Sequence, residues 1–179
     1  IFSEIILNDS RVKYFPLEKN KGRGFARNFA VNQCKGSIIA IWDVDDLYTP
    51  DRFAEINQVL SNSEDFFYFC SHALIVDNEK NFKGARHCSN NSKGITPNFV
   101  HPTLAFKNRM GNLPNYPINK RAGEDLELML FLKQNHKGFY CNKYLLIYFE
   151  DREVNIGKAF TANYNQFKSI ISLINARKI

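Results

Sequence analysis

"AIWDVDDLYTPDR" (Ala40–Arg52) sets three aspartates within four positions at the end of an apolar run. Asp is a poor strand former and costly to bury unpaired, so Asp43, Asp45 and Asp46 add nothing to a core made by Ile38, Ile39, Ile41 and Trp42. They stand where a strand should stop. The unbroken apolar run from Ser37 to Trp42 predicts a strand in the middle of a sheet covered on both faces. Thr49-Pro50 predicts a helix start, with Thr as N-cap and Pro in the first helical position. Strand, acidic turn and helix together predict an α/β sheet whose carboxyl-end loops carry the site.

Elements can be read outward from this stretch. Arg11 to Phe15 alternates like a half-buried strand, Phe25 to Cys34 reads as a helix, and Gly36 is placed to end it. Phe53, Ile56 and Leu60 give the helix after Pro50 one apolar face. Phe66–Cys70 and Ala73–Val76 read as two further strands. The polar stretch 77–98 reads as a loop, 100–107 is ambiguous between strand and helix, and 111–123 reads as a second loop with two prolines. Both loops are expected to be mobile lids. A helix from about Glu124 to Gln134, strands near Phe139–Cys141 and Leu145–Phe149, and an apolar stripe from Phe160 to Ile174 at helical spacing complete the pattern. The expected organisation is one domain in three parts: 1–77, 78–155, and 156–179 as a C-terminal helix.

With 179 residues and 44% apolar content the chain can bury a sizeable core, and its apolar runs are too short to span a bilayer. The formal net charge of +6 admits nucleic acid, anionic lipid or a phosphorylated small molecule as partner. The basic residues are scattered, with a local group at Lys19, Lys21, Arg23 and Arg27, and no nucleic-acid recognition motif accompanies them. Four widely spaced cysteines form no CxxC pair, which argues against zinc and against a disulfide framework and reads as a reduced, cytoplasmic setting.

Four groups of residues carry chemistry. Carboxylates at alternate positions of an extended turn suit a hard divalent cation, which takes one or two of them and completes its sphere with water and phosphate oxygens. The plainer alternative is a capping turn before the Pro50 helix. Asn20-Lys21-Gly22, followed by Ala26-Arg27-Asn28, offers backbone that a ligand can approach closely and a helix start that favours anions, or else only a glycine turn with a solvated Arg. Glu124 and Asp125, after a Pro-containing loop, read as a general base delivered by that loop or as acids complementing the helix dipole. His101, between the two loops, is a candidate lining residue or a structural histidine.

Taken together, "NKGRGFARNFAVNQCKGSIIAIWDVDDLYTPDRF", "FVHPTLAFKN" and "GEDLELMLFL" resemble, in order and spacing, a family 2 glycosyltransferase of the GT-A fold, over roughly residues 9–132. That resemblance implies a Rossmann-like, mostly parallel sheet flanked by helices, with 1–77 as its nucleotide- and metal-binding part and 78–155 as its acceptor-binding part. It also implies inverting, metal-dependent transfer of a sugar from a nucleotide-sugar donor, a UDP-sugar, to a glycan or lipid-linked acceptor in surface glycan synthesis. Asp45 would hold Mn2+ or Mg2+, with Asp43 supporting the metal or contacting the ribose. Arg27, Lys21 and Gly22 would bind the nucleotide, Asp125 would be the catalytic base with Glu124 beside it, and His101 would line the acceptor site. The setting would be cytoplasmic, with peripheral contact at the inner face of the membrane and no nucleic acid. The family's first strand–helix–strand segment has no counterpart before Ile1, so the chain is expected to be N-terminally truncated. A non-catalytic GT-A binding or assembly module and a basic polynucleotide-binding protein are the alternatives.

Overall fold

The computed structural model describes residues 9–90, 97–109, 115–119 and 123–150. The expected C-terminal helix and the segment before Asp9 lie outside the described residues, as do parts of both expected loops. The elements are α1 (Arg23–Gln33), β1 (Ile38–Ala40), β2 (Leu47–Tyr48), α2 (Arg52–Asn62), β3 (Tyr68–Val76), β4 (Phe82–Arg86), a 3-10 turn (His101–Thr103), β5 (Ala105–Lys107), α3 (Glu124–Asn135) and β6 (Gly138–Phe149). They form one sheet in the order β1-β5-β3-β6-β2, with β4 also paired to β3.

The core lies around β3, whose residues alternate between the two faces as a strand requires. Tyr68 and Cys70 face α3 and pack with Leu126, Leu128, Leu130 and Leu132. Phe69 faces α2 and packs with Ile56 and Leu60. Helix on sheet on helix is the expected α/β layering. Five of the first nine residues of α3 are buried apolar side chains, so this helix is enclosed on most sides and shows no clean amphipathic stripe.

The strand details differ from the sequence reading. Parallel pairing among the described residues is confined to β3 with β6, and the other pairings are antiparallel. The Ile38 strand is three residues long and stands at one end of the strand order, not in its middle. Arg11 to Phe15 forms no strand; Phe15 instead packs edge-on against Phe29 of α1, with ring centroids 5.6 Å apart. What read as two pairs of short strands is two long strands, because local irregularities at Ser71–Ala73 and opposite them interrupt the apolar pattern without interrupting the pairing. The 77–98 stretch contains β4, joined to β3 by a tight turn in which Asp77 Oδ1 accepts from the Asn81 N–H and Lys80 takes a left-handed φ of 66°.

Helix ends also moved. α1 ends on Cys34 in an extended conformation, so Gly36 is not its left-handed cap. α2 starts at Arg52 after Asp51, leaving Thr49-Pro50 in the preceding turn, where the Thr49 carbonyl accepts from Arg52 N–H at 3.2 Å. Among the described residues no helix is long and apolar enough to cross a membrane.

Candidate functional site

The acidic turn is held from both ends. Ile41 N–H donates to the Leu104 carbonyl at 2.9 Å, Asp43 N–H donates to the Tyr48 hydroxyl at 2.8 Å, and Asp46 N–H closes the turn onto the Asp43 carbonyl at 3.3 Å. Its three acids therefore have different surroundings. Asp45 is exposed, Asp43 is half-buried, and Asp46 is buried. Burial raises the Asp43 pKa above the ordinary carboxylate value; Arg27 opposes the rise, and the charges of Asp45 and Asp125 add to it. Asp46 is turned away from solvent. Its Oδ1 accepts from Phe149 N–H at 3.2 Å, its Oδ2 has no hydrogen-bond partner, and burial pushes its pKa up to about 6.

Beneath the turn lies Arg52, fully buried. Its Nη2 donates to the Ile41 carbonyl at 2.9 Å and to the Pro102 carbonyl at 3.0 Å, and its guanidinium sits 4.5 Å from the Tyr48 ring centroid and 5.2 Å from that of Trp42. Desolvation lowers its pKa to about 10. One side chain thus ties the end of β1 to the 3-10 turn and supports the aromatic pair flanking the acids. An arginine opening a helix gives no sequence signal of this burial.

α1 brings in the second group. Gly22 caps it at φ 86°, in the left-handed region that glycine tolerates, and its N–H donates to Asn20 Oδ1 at 2.9 Å. A Cβ on Gly24 would stand 2.4 Å from the Pro117 carbonyl oxygen, so only glycine allows the 115–119 segment to lie this close. Asn28 then grips that segment: its Nδ2 donates to the Tyr116 carbonyl at 2.8 Å, and its Oδ1 accepts from the Tyr116 N–H at 2.7 Å. Lys21 is exposed, 4.6 Å from the Phe25 ring centroid.

Arg23 and Arg27 converge on Glu124, at 3.0 and 2.8 Å. Glu124 is 1% exposed, so it is a buried carboxylate clamped by two cations from another helix. Arg27 also reaches within 3.9 Å of Asp43 and lies over the Tyr116 ring. The arginines of the local basic group are thus drawn into ion pairs. Arg27 stands between the two acidic motifs, which are about eighty residues apart in sequence.

Asp125 follows Glu124 in the first turn of α3, half-buried, and its charge acts on Asp43, His101 and Tyr116. The structure therefore gathers Asp43, Arg27, Glu124 and Asp125 into one region. His101 lies beside it but is closed in, 3% exposed, with Nε2 3.0 Å from the Tyr116 hydroxyl and Nδ1 lacking a hydrogen-bond partner. Burial, with Arg27 adding to it and Asp125 opposing, lowers its pKa to about 4.

That depression has a consequence for stability. As pH falls below 6.5 the unfolded chain protonates His101 while the folded chain resists until about 4, so stability is lost on acidification through this window. The expected loss from this one group between pH 7 and 4 is on the order of 2–3 kcal/mol. Denaturant unfolding of His101→Gln at both pH values should show a correspondingly shallower loss; an unchanged slope would contradict the burial of a neutral ring.

Do these residues fit a divalent cation? Among the described residues no three His, Cys, Asp or Glu side chains form a ready cage. A diphosphate-bound Mg2+ or Mn2+ does not require one, since it rests on one or two carboxylates and oxygens of substrate and water. Mutually repelling acids at Asp43, Asp45 and Asp125, with Asp43 partly desolvated, are a donor set that a cation would relieve. Asp43 and Asp45 fit that role.

Comparisons with known proteins bear on the whole arrangement. The sequence profile described as glycosyl transferase family 2 matches residues 1–120. An uncharacterized glycosyltransferase of Methanocaldococcus jannaschii is 27% identical over 83% of this chain and 54% of its own length. The UDP-Gal:alpha-D-GlcNAc-diphosphoundecaprenol beta-1,3-galactosyltransferase of Escherichia coli is 34% identical over 54% of this chain and 37% of its own length. The chain thus spans about half, or less, of these relatives. The crystal structure of S. aureus TarS 1-349 superposes with a TM-score of 0.55 at 17% identity, over 83% of this chain and 46% of that one, and shares the α/β GT-A fold. With the profile covering about two thirds of the sequence, the chain belongs to glycosyl transferase family 2.

Proposed function

We propose that this chain carries the donor and metal site of an inverting glycosyltransferase. It would move a sugar from a UDP-sugar to an acceptor hydroxyl on a glycan or lipid-linked sugar, in surface glycan synthesis at the cytoplasmic face of the membrane. The observation that carries the reading is Arg27, held between Glu124 and Asp43, which couples the strand-end acids to the start of α3. The Escherichia coli relative's UDP-Gal donor and lipid-diphosphate acceptor, as its name states them, support the donor and acceptor classes.

Asp45 and Asp43 would hold Mn2+ or Mg2+, which supplies neutralisation of the departing diphosphate when bound. Asp43 also faces the ribose, and Lys21, the Gly22 backbone and Arg27 line the nucleotide side. Asp125 accepts the proton of the attacking hydroxyl as the new bond forms, because a carboxylate is too weak a base to remove it from a sugar hydroxyl beforehand. Glu124, fixed by two arginines, keeps the start of α3 and hence Asp125 in register with the donor. His101 serves the acceptor side through Tyr116, whose hydroxyl it contacts.

UDP released from a panel of UDP-sugars, with Mn2+ or with EDTA and with lipid-linked or free sugar acceptors, tests this reading. Acceptor-dependent, metal-dependent release from one donor is expected. Release from none, with no nucleotide bound, would overturn it.

A further inference from the structure

A second polar group, outside the residues assigned to glycosyl transfer, lies on β3, β6 and the segment after β4. Cys88, just after β4, has its Sγ 3.4 Å from Nδ1 of His72 on β3, and its N–H donates to the same nitrogen at 3.1 Å. With Nδ1 accepting, the ring proton sits on Nε2, which donates to Asn142 Oδ1 at 2.9 Å. The order is thiol, imidazole, amide: a nucleophile beside a base whose tautomer a third group fixes. The backbone is arranged for this. Between the pairs Ser71–Cys141 and His72–Tyr144, β6 carries Asn142 and Lys143 with no residue opposite, a bulge in the central parallel pair. Bulges re-aim side chains, and this one leaves the Asn142 amide on the His72 ring. A second cysteine adjoins the group: Cys88 Sγ lies 3.7 Å from the Cys70 carbonyl oxygen, and both cysteines are buried.

We propose that Cys88 is a peroxide-reactive thiol, activated by His72 and Asn142, and that Cys70 resolves it to an intramolecular disulfide. The single lone pair of His72 Nδ1 is shared between the Cys88 N–H and thiol, and it takes the thiol proton as the N–H releases it. The Cys88 sulfur attacks one oxygen of a hydroperoxide, the O–O bond breaks, and the departing oxygen takes a proton, leaving a sulfenic acid on Cys88. The Cys70 sulfur then attacks the Cys88 sulfur, the S–O bond breaks, and the hydroxyl leaves as water with the Cys70 proton. The two thiols lose two electrons, which the peroxide accepts. Electrostatics agree with the direction of attack. The neighbouring Cys70 side chain, against burial and helped by His72, draws the Cys88 thiol down to about 7, whereas burial pushes Cys70 well up. Exposed Cys34 is raised and makes an internal reference.

The test is peroxide treatment of the chain at pH 7, quenching, and mass spectrometry of the digest. The expected product is a Cys70–Cys88 linked peptide, formed at least about tenfold faster than Cys34 oxidises, because the Cys88 thiol is drawn down toward the working pH while burial holds the Cys34 thiol up. In Cys70→Ser the reaction should stop at a dimedone-reactive sulfenic acid on Cys88. Asn142→Ala, at an exposed position, and His72→Gln, checked for folding by circular dichroism, should slow the reaction severalfold. Oxidation of Cys34 ahead of Cys88, absence of the linked peptide, or an unchanged rate in Asn142→Ala would each overturn the proposal.

Discussion

Asp125→Asn should lower sugar transfer by about 100-fold or more while leaving nucleotide binding nearly intact, the pattern of losing a general base. Asn preserves the size and most of the hydrogen bonding of Asp, so the helix start should survive, but it cannot take up a proton. Position makes this residue the candidate: it is the half-buried acid of the pair, within electrostatic reach of Asp43, whereas Glu124 is sealed under Arg23 and Arg27. Glu124→Gln should therefore act first on stability, because it leaves two arginines facing an uncharged amide. Initial rates and UDP titrations for both variants separate the roles. Near-normal transfer by Asp125→Asn would move the base elsewhere and leave the pair as a helix-start structure.

Arg52→Ala should destabilise the chain by about 3 kcal/mol or more. The change empties a fully enclosed volume beside Trp42 and Tyr48 and leaves the Ile41 and Pro102 carbonyls without their shared donor. Part of the cost is offset, because the desolvated charge disappears with the side chain. Denaturant midpoints measure the net effect. The same variant should weaken nucleotide binding, since Ile41 leads directly into the acidic turn. A loss below about 1 kcal/mol would mean that the guanidinium is a tolerated buried charge rather than a support.

Legibility in the sequence followed the range of the interaction. The Asp43–Asp46 turn and the Glu124 helix start were readable because each sets polar residues abruptly against an apolar run, a local signal. Their convergence was carried by the family resemblance, and in the structure by Arg27. Asn28 could not be placed from local pattern: its partners are the backbone groups of Tyr116, 88 residues away. Its one signal was the Ala26-Arg27-Asn28 motif itself. The burial of Arg52 and Glu124 left no local mark in the sequence, because charged residues in a first helical turn ordinarily face water. β4 hid in a polar stretch since its exposed side chains follow no apolar alternation, and its turn depends on Asp77 and a left-handed Lys80. The Cys88–His72–Asn142 group combines a loop, a strand and a bulge, and no spacing rule links them.

The central claim is that the acids ending the β1 segment hold a metal-bound nucleotide diphosphate. Isothermal titration of UDP into the chain, with Mn2+ or with EDTA, tests it without an acceptor or a known donor sugar. Binding should require the metal, disappear in Asp45→Asn and weaken in Asp43→Asn, with circular dichroism unchanged in both, because a site with so few protein carboxylates cannot spare one. Equal, metal-dependent UDP binding by wild type and Asp45→Asn would contradict the account.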